Sequence, residues 1–250
     1  MSKGLNVTIQ DFIERRNRVC PQNYAPLPVI LSRAQGVWVW DIHGRQYLDM
    51  LSAYSAVSHG HLHPRMIACL KAQIEKVCIV SRAFHTDTMV PFFEKLSQMT
   101  GLDMVMPANT GVEAVEVGIK AARRWGYQVK KIPSNQAEII VAEGNFHGRT
   151  EAAISLSTFS IARQDFGPFL PGFKSVPFGD LKAMEEAITP YTCAILVEPI
   201  QGEAGVIIPP QGDLRGLRRL CDDTHTLLLL DEVQSGLGRT GRLFAFQYED

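Results

Sequence analysis

Hydrophobic and polar positions change period more than once along the chain. Residues 37–51 (VWVWDIHGRQYLDML) alternate in two short runs around a polar turn at 41–44, the period-two pattern of a β-hairpin. From Pro64 the spacing becomes helical. Ile67, Leu70, Ile74 and Val77 recur at intervals of three and four, and proline suits a first helical turn. Short apolar runs at 103–106, 138–142, 193–197 and 226–230 predict buried strands. Between them, helices are predicted at 111–125, with Val112, Val115 and Ile119 on one face, near 181–188, and over a basic stretch at about 214–223. Continuous apolar strands alternating with helices predict an α/β fold, a largely parallel sheet with helices on both faces. Ligands of such sheets sit beyond the carboxyl ends of the strands, so chemistry is to be sought there.

Behind 103–106 stands PANTG. Thr110 suits a helix N-cap, Gly111 lets a ligand approach the backbone, and the amides of Gly111 and Val112 could hold a phosphate. The same residues also make an ordinary capped helix. Behind 138–142 stands EGNFHGRT, where Phe146 could stack on a planar ring and Arg149 could clamp a carboxylate; a glycine-rich surface loop reads equally well. Behind 193–197, Glu198 and Glu203 bracket a glycine turn, as caps or as partners of an arginine. Asp231 closes a fully apolar LLLL strand, and a carboxylate there needs a cationic partner. Mg²⁺ held in a Walker-type site would require a GxxxxGK[ST] loop, a string this sequence does not contain. A protonated heterocycle nitrogen is the other candidate. Two further patterns mislead. Gly236–Gly241 matches GxGxxG but does not join a strand to a helix, and the HxH spacing of His59, His61 and His63 reads as a helix-entry turn before Pro64.

Composition narrows the class. At 250 residues the chain is one large domain or one and a half. A net charge of −1 offers no basic face, so neither nucleic acid nor a membrane surface is an expected partner. The charged share of 20% is low, a weak sign of an oligomer. Five scattered cysteines without a CxxC pair suggest a reduced, cytoplasmic protein with mostly buried thiols. No secretory signal is legible behind Lys3, and no apolar run approaches a bilayer span.

In order along the chain, NTGVEAVE, NFHGRT, FGPFLPGF, VEPIQGEAGV and LLLLDEVQSGLGRTGR resemble the class III aminotransferases, pyridoxal-phosphate enzymes of fold type I. NYAPLPV at 23–29, LSAYSAV at 51–57 and ARRWGY ending at Tyr127 resemble the ornithine-type branch of that family. The resemblance implies residues 1–55 as arm and hairpin of a small α+β domain, and 56–250 as a large cofactor-binding domain that is incomplete at its C-terminal end. It implies pyridoxal 5'-phosphate held by Gly111 and Val112 at the phosphate, Phe146 on the ring, Asp231 at the pyridinium nitrogen, Val233 beneath the ring and Gln234 at its phenolic oxygen. It places Tyr24 and Arg149 at the substrate carboxylate and Tyr54 where ornithine-type members select their substrate. Glu203 would mask a distant arginine while ornithine binds. The implied reaction moves the δ-amine of ornithine to 2-oxoglutarate by a ping-pong route, in a homodimer.

One residue of the family pattern is not in the sequence. The Schiff-base lysine follows the aspartate after one more strand, whereas the nine lysines here all precede Asp231. No catalytic residue is therefore assigned, and the chain is expected to be a piece of a longer polypeptide. Ser58, His59 and His147 also stand where relatives often carry other residues. Acetylornithine or 4-aminobutyrate aminotransferases are the neighbouring alternatives, and a non-catalytic ligand-binding or dimerising protein is the alternative of another class.

Overall fold

The computed structural model describes residues 8–249. Contacts divide the chain between Phe84 and His85 into two units, each treated by itself.

The N-terminal unit opens with helix α1 (Ile9–Val19), which the apolar pattern did not predict. Its start is fixed by a reciprocal cap. Thr8 Oγ1 accepts the Asp11 amide at 3.1 Å, and Asp11 Oδ2 accepts the Thr8 amide at 3.2 Å. Three antiparallel strands follow in spatial order β1 (Leu31–Gln35), β2 (Trp38–Asp41) and β3 (Gln46–Leu48). The predicted hairpin is β2–β3. Asp41 ties its turn, accepting the amides of His43 and Arg45 and the Tyr47 hydroxyl, each at 2.9 Å. Helix α2 (Pro64–Ile74) begins at Pro64 as expected but ends before Val77, and Leu70 and Ile74 are exposed.

In the C-terminal unit, α3 (Met89–Thr100) and α4 (Gly111–Gln128) precede β4 (Glu138–Ala142). Then come α5 (Glu151–Leu156), α6 (Ser160–Arg163), β5 (Phe173–Val176), α7 (Leu181–Ala187), β6 (Thr192–Val197), α8 (Asp213–Asp223) and β7 (Leu227–Leu230). The four strands are parallel in the order β5-β4-β6-β7. Alternate residues serve opposite faces. Ile139, Val141 and Leu196 meet Val115, Ile119, Ala152 and Leu156 from α4 and α5. Ile140, Ile195 and Val197 meet Met184, Leu217 and Cys221 from α7 and α8. That is the sheet covered on both faces that the sequence predicts. Gly126 brings α4 close, since a Cβ there would stand 2.8 Å from Cys193 Cβ.

Three expectations need correction. Residues 103–106 are not a strand: the segment pairs with none of the described strands, and an apolar run without a hydrogen-bonding neighbour does not hold a ladder. β5 was not predicted because Lys174 interrupts its apolar pattern; its ammonium meets Glu138 at 2.8 Å across the parallel pair. Thiols are not mostly buried either, since Cys193 and Cys221 are buried but Cys69 and Cys78 are exposed. Among the described residues no helix is long and apolar enough to cross a membrane.

Candidate functional site

At the carboxyl ends of β4, β6 and β7 a pocket of about 80 Å³ is lined by Gly111, Val112, Phe146, His147, Gly148, Glu198, Ile200, Asp231, Val233 and Gln234. All six residues expected to hold a cofactor are in that lining. Helix α4 begins at the pocket. Its Thr110 Oγ1 accepts the Glu113 amide at 3.2 Å, while Glu113 accepts the Asn109 amide at 2.7 Å. Those Asn109 bonds hold the Glu113 carboxyl below its ordinary range. The helix's first amides and its positive dipole end suit an anion. Two glycines keep the wall thin. A Cβ on Gly111 would come within 2.9 Å of Val233 Cγ1, and one on Gly148 within 2.6 Å of Val112 Cβ.

Asp231 follows β7 and is held on both oxygens. Val233 donates its amide to Oδ1 at 3.0 Å, and His147 Nδ1 lies 2.7 Å from Oδ2. Both side chains are almost fully buried. With the carboxylate as acceptor, Nδ1 carries the proton. His147 Nε2 is buried without a hydrogen-bond partner. In the sequence His147 is only a position where relatives often carry other residues; its carboxylate partner lies 84 residues on, a pairing visible only in the fold.

Glu198 caps the turn that follows it through the Gly202 amide, and it also reaches a second loop. Its Oε2 accepts the Phe146 amide at 3.1 Å and so ties the loop after β4 to the end of β6. Burial pushes this carboxyl up to about 7, and the Asp231 charge acts in the same direction against the Phe146 bond and His147. Glu203 is bound by Gln234, whose Nε2 donates at 2.9 Å. Arg149 is exposed, its guanidinium 5.9 Å from the Phe146 ring centre.

Tyr24 and Tyr54 belong to the N-terminal unit. Tyr24 lines a cleft of about 550 Å³ beside Phe12, Arg16 and Asn23. Tyr54 is exposed, within a run of residues at positive φ. Of the lysines, Lys130 has its pKa lowered by burial, but its Nζ donates to Thr192 O, Thr224 O and Thr226 Oγ1 at 2.7–3.1 Å. These acceptors lie at the amino ends of β6 and β7, the edge opposite the pocket. Lys130 therefore stitches the sheet and stands far from the site.

The Aminotransferase class-III family matches residues 19–250. An ornithine aminotransferase of Halalkalibacterium halodurans is 56% identical over 238 residues, 95% of this chain and 60% of that protein. The crystal structure of the ornithine aminotransferase from Toxoplasma gondii ME49 superposes with a TM-score of 0.95 at 43% identity, covering 97% of this chain and 58% of that one. An acetylornithine aminotransferase from Elizabethkingia anophelis gives a TM-score of 0.84 at 41% identity, covering 97% and 57%. The chain thus spans about 60% of the length of the curated relatives it matches. Both the sheet topology and this match along nearly the whole chain lead to one assignment: the protein belongs to the class-III aminotransferase family, with the α/β architecture of fold type I.

Proposed function

We propose that the protein serves transamination of the δ-amino group of ornithine to 2-oxoglutarate, with pyridoxal 5'-phosphate as cofactor. Glutamate 5-semialdehyde and glutamate are the products. The observation that carries the reading is the buried Asp231, fixed by His147 and Val233 in a pocket that also holds a helix N-terminus and an aromatic ring. This donor set fits the cofactor. An anionic carboxylate suits a protonated ring nitrogen, and the amides of Gly111 and Val112 suit a phosphate. When bound, the cofactor supplies an electron sink for the carbanion formed beside the substrate amine.

The chain's own residues then divide the work. Asp231 would hold the protonated ring nitrogen, and His147 fixes the Asp231 side chain in place through the 2.7 Å contact to its Oδ2. Phe146 and Val233 would hold the ring between them, and Gln234 would address its phenolic oxygen. Arg149 and Tyr24 take the substrate carboxylate, Tyr54 selects the amine, and Glu203 withdraws and releases an arginine between the half-reactions. The lysine that anchors the cofactor is none of the nine in this sequence. Residues 1–55 form part of a small domain and 56–250 most of the large one, and the protein acts in the cytoplasm as a homodimer. Ornithine is favoured over acetylornithine by the 51–56% identity to ornithine aminotransferases.

The test is a comparison of amine donors with the whole polypeptide supplied with the cofactor. Ornithine with 2-oxoglutarate is expected to turn over at least tenfold faster, by kcat/KM, than N-acetylornithine or 4-aminobutyrate. Asp231→Ala is expected to lower kcat by about 10²–10³-fold. Equal turnover of the three amines rejects the ornithine assignment, and an unimpaired Asp231→Ala enzyme rejects the role of the pocket.

A further inference from the structure

Four consecutive residues, Ser52, Ala53, Tyr54 and Ser55, have φ of 51°, 47°, 54° and 78°. None is glycine. L-residues enter this region singly at most, because Cβ crowds the following carbonyl. Inside the turn, Tyr54 donates its amide to Leu51 O at 3.1 Å, and Val57 donates to Ser52 O at the same distance. Ser52 Oγ donates to Val57 O at 3.0 Å.

The entrance to the turn is held by one carboxylate. Asp49 Oδ1 accepts the amides of Leu51 and Ser52 at 3.0 and 2.8 Å, and its Oδ2 lies 2.7 Å from His61 Nε2. The Ser52 amide and the His61 ring hold this carboxyl below its ordinary range. His61 is itself fixed. Its backbone exchanges two hydrogen bonds, at 2.7 and 2.8 Å, with Gly36 between β1 and β2. Gly60 permits that approach, since a Cβ there would stand 3.1 Å from Gly36 O. A continuous path therefore runs from the hairpin through His61 and Asp49 to the strained turn. The Asp49 and His61 side chains are largely shielded, whereas Tyr54 at the far end is 60% exposed. Strain kept at an exposed side chain is not offset by burial of that side chain and is a mark of function.

We propose that Asp49 and His61 form a clamp that holds residues 52–55 left-handed, and that both are positioning residues for amine selection by Tyr54. The proposal rests on the assignment of Tyr54 made above. Its test uses the whole enzyme, with two readings per variant. One is the NMR signature of positive φ at Tyr54, a strong intraresidue amide–Hα contact; the other is the kcat/KM ratio of ornithine to N-acetylornithine. Asp49→Ala and His61→Ala are expected to lose the signature and to lower the ratio about tenfold. His61→Gln, which keeps a nitrogen donor near the Nε2 position, is expected to retain both. Adding Ala53→Gly to Asp49→Ala should restore both, because glycine adopts the left-handed conformation without a clamp; a general loss of fold would not be rescued so. Should Asp49→Ala fail to fold, the two His61 variants decide. Loss variants that keep the signature overturn the clamp, and loss of the signature without a change in ratio overturns the positioning role. If Tyr54→Phe and Tyr54→Ala leave the ratio unchanged, the Tyr54 assignment itself falls, independently of the NMR result.

Discussion

The pocket's two buried carboxyls have different partners. Asp231 has an imidazole within 2.7 Å and an amide on its other oxygen, so both oxygens are engaged. Glu198 accepts the amides of Phe146 and Gly202, but burial beside a negative charge outweighs them, and its pKa is raised from 4.5 to about 7. Below about pH 4.5 it is protonated whether the chain is folded or not. Between there and 7 the unfolded chain releases a proton that the folded chain keeps, so stability falls as pH rises, by on the order of 3 kcal/mol in all. Asp213, raised to about 6, adds a fall in a partly overlapping range. Glu198→Gln is expected to flatten the Glu198 share. Urea midpoints at pH about 5 and about 8 should differ less in the variant than in the parent chain. An unchanged difference would show that Glu198 ionises normally. Asp231 was legible in sequence because the first carboxylate after LLLL, at a buried strand end, demands a partner. His147 and the role of Glu198 were not, since their partners are distant in sequence and only the parallel register gathers the loops after β4, β6 and β7.

The helices α4, α7 and α8 are legible because one buried face imposes its spacing, and β4 and β6 because burial on both faces leaves a continuous apolar run. Short or polar elements escaped. α1 has no buried residue, and β5 carries Lys174, whose charge is met only because Glu138 is its neighbour across the sheet. The run at 103–106 shows the reverse error, where hydrophobic character implied a strand but pairing did not follow. Glycine placement at the pocket belongs to this scale as well. Gly148 has φ +123° and no room toward Val112, so Gly148→Ala forces both strain and overpacking. It is expected to cost about 2–4 kcal/mol, seen as a lower Tm. Gly118→Ala on the same helix α4 meets only Leu229 Cδ2 at 3.1 Å and should cost much less. Equal costs would mean that the loop after β4 yields freely against α4.

For the molecule as a whole, the C-terminal unit carries exposed apolar residues along much of its length, and four of them lie close in sequence. Phe92, Leu102, Met104 and Met106 are each more than half exposed, between α3 and the start of α4. Large apolar side chains left in water are candidates for an interaction surface, and Met104 is the most exposed of the four. Such a surface agrees with the low charged share and with the proposed homodimer. Sedimentation of the whole polypeptide is expected to give twice its single-chain mass, and Met104→Asp should shift the population to the single-chain mass. A parent chain that sediments as a monomer at all concentrations would remove the dimer from the proposal.

The linear order of residues determined the alternation of strand and helix, the carboxyl-end location of Phe146, Glu198 and Asp231, and the capped glycine start of α4. These are local matters, because period, capping and strand ends depend on near neighbours. Tertiary structure decided what depends on contacts across many residues. It chose the strand order, removed a strand at 103–106, paired His147 with Asp231 and set Glu198 against the Phe146 amide. It also set His61, itself paired with Gly36, against Asp49 at the entrance to the left-handed turn under Tyr54, a turn that no propensity favours.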